Sequence, residues 1–91
     1  MKIRKSISEG YECKVFIYHN KKEEYTVISI PDLNWSIQFE DDLYGESLEE
    51  HLVHSLFNLV DESLARELAL RINQWIIEMR GTYYGFHKTS K

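Results

Sequence analysis

The chain has 91 residues, 43% of them apolar, 13% aromatic and 29% charged, a balance that excludes a disordered polymer and suits one packed domain. One Pro and four Gly leave nothing for a collagen-like or linker-like segment. Net charge is −4, yet residues 1–25 carry +2, residues 26–64 carry −9 without a single Lys or Arg, and residues 65–91 carry +3; a middle segment without cations would repel a phosphate backbone, so direct nucleic-acid binding is not expected of it.

At the N-terminus, Met1-Lys2-Ile3-Arg4-Lys5-Ser6 has the charges that open a signal peptide, but Glu9, Glu12 and Lys14 interrupt any apolar run behind it. No stretch of about eighteen apolar residues follows anywhere, so no membrane span is expected. Cys13 is the sole cysteine, which rules out an internal disulfide and favours a reducing compartment. The expectation is one cytoplasmic α+β domain over residues 1–91.

Tyr11, Cys13, Val15 and Ile17 alternate with Glu12, Lys14, Phe16 and Tyr18, the period of two that marks a strand, here over 11–19. Asn20-Lys21-Lys22-Glu23-Glu24 is a polar hairpin loop, and the β-branched, aromatic-rich run from Tyr25 is a second, antiparallel strand over 25–31. Pro31-Asp32-Leu33-Asn34 reads as a turn, because Pro lacks the amide hydrogen that a central strand needs. Trp35, Ile37 and Phe39 against Ser36, Gln38 and Glu40 give a third strand over 34–40.

After an acidic loop, Ser47-Leu48-Glu49-Glu50 has the S-x-x-E spacing of a capping box. A helix is expected over 47–60, its apolar side made by Leu48, Leu52, Leu56 and Leu59 with Val53, Phe57 and Val60. Leu64, Leu68, Ile72, Trp75, Ile76 and Met79 predict a second helix over 62–80, ended by Gly81. The stripe from Val53 to Met79 also fits one continuous helix, but Asp61-Glu62-Ser63 can cap a new one, and a break near residue 61 is favoured because an unbroken helix would overhang so small a sheet. Residues 82–86 are apolar enough for a short strand, and 87–91 are expected to fray.

The order strand, turn, Tyr25-Thr26-Val27-Ile28-Ser29-Ile30 strand, Pro31-Asp32-Leu33, strand and Gly45-Glu46-Ser47-Leu48-Glu49-Glu50 helix start resembles the N-terminal fold of HicB-type antitoxins over residues 11–60. Asn34-Trp35-Ser36 stands where that family continues Pro-Gly-Cys, and no DNA-binding module is recognisable after it. Over the whole length, Met1-Lys2-Ile3-Arg4-Lys5, Lys22-Glu23-Glu24, Ile30-Pro31-Asp32 and a last helix bearing Trp75 resemble the YueH-like family of small bacterial proteins. That resemblance implies a short, single-domain cytosolic protein and brings no catalytic residues with it.

His51 and His54 are neighbours on one helix surface and are weak candidates for a metal site, but a stable site needs further ligands, and Cys13, His19 and His87 sit in segments that nothing in the sequence brings together. The carboxylates from Glu40 to Glu50 suit a solvated loop and helix start better than acid–base work. Phosphate-loop, nucleophile-elbow and H-E-x-x-H motifs are absent. Cys13 reads as a core residue, since the adjacent Lys14 points to the opposite face. No cofactor and no catalytic activity are expected.

Six Tyr, four Phe and two Trp exceed what one face of a three-stranded sheet needs. Phe16 and Tyr18 fall on the face opposite Val15 and Ile17, and Tyr83, Tyr84 and Phe86 cluster behind the last helix; these five are the interface candidates, unless the C-terminal segment folds back over the sheet. The resulting expectation is a small protein-interaction domain, a homodimer that also binds an unidentified protein. The alternative is an antitoxin-like regulator whose acidic surface neutralises a basic nucleic-acid-binding partner.

Overall fold

The computed structural model describes the backbone of residues 1–8 and 10–89 and the side chains of residues 1–7, 10 and 12–80. Four antiparallel strands, in the spatial order of the chain, form one sheet: β1 (Lys2–Ser8), β2 (Tyr11–Asn20), β3 (Tyr25–Ile30) and β4 (Trp35–Glu40). Two helices follow, α1 (Gly45–Leu56) and α2 (Glu62–Thr89).

The three-strand expectation therefore lacks β1. Its alternation is inverted relative to the core: Ser6 is buried and pairs with Cys13, whereas Ile3 and Ile7 are exposed. A charged edge strand of this kind discourages pairing with other chains, and for the same reason it lacks the apolar face by which a half-buried strand is recognised.

β2 and β3 pair through Ile17 and Ile28, and β3 and β4 through Ile28 and Ile37. The inward side chains Cys13, Val15, Ile17, Ile28, Ile30, Trp35 and Phe39 meet Leu48, Leu52 and Leu56 of α1 and Leu68, Ile72 and Ile76 of α2 in one core. Each Leu or Ile buried in this way stabilises the fold by roughly 1.5–3 kcal/mol. Trp35 Nε1–H donates to Ser55 Oγ at 2.8 Å, which ties β4 to α1 while satisfying the indole. Between β3 and β4, the expected turn is a short 3₁₀ segment, Pro31–Leu33, left through Asn34 at φ 56°, a left-handed conformation that Asn tolerates. Asp32 accepts from the Lys14 amide at 3.1 Å, satisfying β2 where it outruns β3.

The helix boundaries differ from those expected. α1 starts two residues before Ser47, at Gly45 with φ +65°, and no side chain caps it, so the capping box does not form. α1 also ends at Leu56, leaving Phe57 and Leu59 exposed in the turn. The break near residue 61 is present: Asp61 Oδ1 accepts from the Leu64 amide at 3.0 Å and starts α2. α2 does not stop at Gly81, and the strand expected over 82–86 is helical backbone instead. Once a helix exists, each added residue gains a hydrogen bond, and one glycine costs only about 1 kcal/mol against that. Of the frayed tail expected over 87–91, residues 87–89 are helical and 90 and 91 lie outside the described residues.

Candidate functional site

Because both helices occupy one side of the sheet, its other side is open. Antiparallel register fixes what that side carries. Ile3 lies opposite Phe16, Tyr18 opposite Val27, and Tyr25 opposite Asn20 on one side and Glu40 on the other. Ile3, Phe16, Tyr18, Val27 and Tyr25 therefore form a diagonal apolar stripe across β1, β2 and β3. Ile3 is 59% exposed and Tyr18 39%, while Phe16, Val27 and Tyr25 are half-buried by their neighbours in the sheet. The Tyr18 and Tyr25 rings lie 6.3 Å apart and tilted by 58°, a favourable aromatic geometry that also fixes both side chains.

Charge brackets the stripe. At one end, Lys5 and Lys14 face each other across β1 and β2, with Glu12 taking Lys5 at 3.3 Å. At the other end, exposed Glu40 stands beside Tyr25.

Phe16 and Tyr18 are thus on this face, as their alternation implied, while the side chains of Tyr83, Tyr84 and Phe86 lie outside the described residues. Sequence reasoning missed Ile3, Tyr25 and Val27 as members of the stripe. For Tyr25 and Val27 a signal existed, since they alternate with Thr26, Ile28 and Ile30 and must point away from the core.

A second feature is polar. Asp41, just after β4, accepts from Thr26 Oγ1 at 3.3 Å and from Arg80 Nη2 at 3.2 Å, and is bonded to His19 Nε2 at 2.8 Å. Arg80 Nη1 donates also to the Asp41 carbonyl at 3.2 Å. This cluster joins α2 to three strand ends, and among the described residues it holds no nucleophile beside the histidine except the Thr26 hydroxyl, already bonded to the carboxylate. Its partners lie up to 39 positions apart, so no local spacing announces it.

His51 and His54 are exposed on α1 and border a shallow cleft with Leu43, Ser47 and Glu50. Glu46, Glu49 and Glu50 border another with His54 and Arg66. Among the described residues, no group of three or more His, Cys, Asp or Glu gathers to hold a metal ion. Cys13 is a buried free thiol whose pKa is raised, chiefly by burial and then by the Asp32 carboxylate, which holds it in the unreactive protonated form. No helix among the described residues is long and apolar enough to cross a membrane.

A family model described as YueH-like protein matches residues 2–78. A Bacillus subtilis (strain 168) protein bearing the name Uncharacterized protein YueH is 38% identical over 84 residues, which cover 87% of this chain and 100% of that one. No solved structure matches the chain.

Proposed function

We propose that this chain, which belongs to the YueH-like family, is a protein-interaction domain without catalytic activity that acts in the cytoplasm as a homodimer. The observation that carries this reading is the open sheet face. Both helices pack on one side, and the other presents a contiguous stripe of Ile3, Phe16, Tyr18, Val27 and Tyr25 to solvent. A contiguous aromatic and aliphatic patch with a polar rim is the composition of an interface centre.

Sedimentation equilibrium tests it. The wild-type chain is expected to approach twice its mass of 10.9 kDa as concentration rises, and Phe16→Glu, which places a charge in the middle of the stripe, is expected to return it to monomer. A wild-type monomer at every concentration removes the homodimer.

The acidic surface supports the second reading, an antitoxin-like regulator. Glu46 and Glu50 are exposed along α1 with Glu49 between them, where a cationic protein would be attracted. Salt-sensitive binding of a basic protein that is lost on Glu46→Lys and Glu50→Lys would favour it over the sheet-face reading.

A further inference from the structure

We infer that two copies of this chain pack sheet face to sheet face about a two-fold axis that crosses the apolar stripe, so that Lys14 of each copy meets Glu40 of the other. The inference rests on the homodimer reading and gives it an orientation.

The stripe has a direction. Counted along the register, its cationic end is Lys14, one row before Phe16 on β2, and its anionic end is Glu40, the cross-strand neighbour of Tyr25. Both charged side chains are exposed and neither has an ion-pair partner among the described residues. Lys5 stands next to Lys14 but is already engaged by Glu12.

Rotation by a two-fold axis lying across the stripe reverses its direction in the second copy. Every lysine end then lies over a glutamate end, and symmetry makes that contact twice. The same rotation sets Phe16 of one copy against Val27 and Tyr25 of the other and brings the two Tyr18 rings near the axis. A second copy with its stripe running the same way would place Lys14 on Lys14 and Glu40 on Glu40, which like-charge repulsion opposes. The surface is thus complementary to itself in one orientation, and a second copy is the occupant that matches it at both ends.

Size sets the expected strength. Four strands about 4.8 Å apart and six residues long, at about 3.4 Å each, make a face of roughly 19 by 20 Å. Two such faces bury on the order of 800 Å² in total, below the roughly 1,000 Å² that a stable interface clears, so the dimer proposed is a weak, transient one.

The test is sedimentation equilibrium over roughly 1–500 µM, the range that suits an interface of this size, on the wild type, Lys14→Glu, Glu40→Lys and the double variant. Each single change creates two like-charge contacts per dimer and is expected to raise Kd at least about tenfold. The double variant restores opposite charges at both contacts and is expected to return within about threefold of wild type. Both positions are exposed, so thermal melts should match wild type; Lys14→Gln and Glu40→Gln, weakening without repulsion, provide a second series should a reversed charge disturb the sheet. Single variants that dimerise as tightly as wild type, or a double variant as weak as the singles, overturn this orientation while the homodimer stands. A wild type that stays monomeric overturns both.

Discussion

Removing the Asp41 carboxylate should cost more than any other single change outside the apolar core. In Asp41→Ala, Arg80 loses its 3.2 Å partner, His19 its 2.8 Å partner and Thr26 its 3.3 Å partner at once. The Arg80 side chain is 12% exposed and that of Asp41 17%, so the guanidinium is left largely desolvated without a counter-charge. Breaking a fully buried pair by deleting one partner costs about 3–5 kcal/mol, and the residual access of water lowers this to about 2–3 kcal/mol. Arg80→Met keeps the packed stem and deletes the charge; Asp41 retains His19 and Thr26, so the loss falls to about 1–2 kcal/mol. The double variant should therefore be less destabilised than the sum of the two by about 1 kcal/mol or more. Urea unfolding reads this directly, with midpoints shifting at constant slope. Losses that add within about 0.3 kcal/mol, or an Asp41→Ala cost below about 0.5 kcal/mol, would refute the view that this cluster clamps α2 to the strand ends.

Two further changes check the helix starts and the buried thiol. Asp61→Ala removes the acceptor for the Leu64 amide and should cost about 1 kcal/mol, whereas Ser47→Ala, at an exposed residue inside α1 that caps nothing, should stay within about 0.5 kcal/mol in the same urea assay; equal effects would contradict the observed boundaries. Cys13 should resist a thiol-reactive disulfide reagent until denaturant is added, since it is 1% exposed. Its folded pKa lies above the unfolded value, so the folded state favours the neutral thiol: that contribution is whole below the ordinary thiol pKa of 9.0 and is lost as pH rises through it toward the folded value. A melting temperature that rises across this alkaline window on Cys13→Ala relative to wild type supports the sign, and rapid labelling of the native chain contradicts the burial.

Much of the fold was legible in the residues, for identifiable reasons. β2, β3 and β4 bury one side only, so their alternation survives in the sequence as Cys13-Val15-Ile17, Ile28-Ile30 and Trp35-Ile37-Phe39. β1 was not legible because the helices cover its Arg4 and Ser6 side while its two isoleucines face outward; a strand with a polar inner side has the pattern of a charged leader. The S-x-x-E spacing at Ser47 misplaced the start of α1, because Gly45 enters the left-handed region freely and lets the helix begin earlier than the capping pattern suggested. Phe57 and Leu59 look like continuations of the α1 stripe, yet Asp61 ends that register by capping α2.

The candidate face was half legible. Alternation alone put Phe16 and Tyr18 opposite the core, but their company depends on strand register. Ile3 joins them only because Lys2 pairs with Ile17, and Val27 only because the five-residue step from Asn20 to Tyr25 is a tight hairpin. In that hairpin Asn20 accepts from the Glu23 amide at 2.9 Å and Glu24 holds φ 61°. The Asp41 cluster was illegible because its contacts are made by tertiary packing between residues far apart in sequence.

Methyl-detected NMR over a dilution series tests the central claim, that the open sheet face is the interaction surface. Exposed Ile3 and half-buried Val27 lie on the open face, whereas exposed Leu70 and Ile77 lie on α2. The methyl resonances of Ile3 and Val27 are expected to move with concentration while those of Leu70 and Ile77 stay fixed. Concentration-dependent shifts confined to Leu70 and Ile77, or shifts nowhere, would contradict the account.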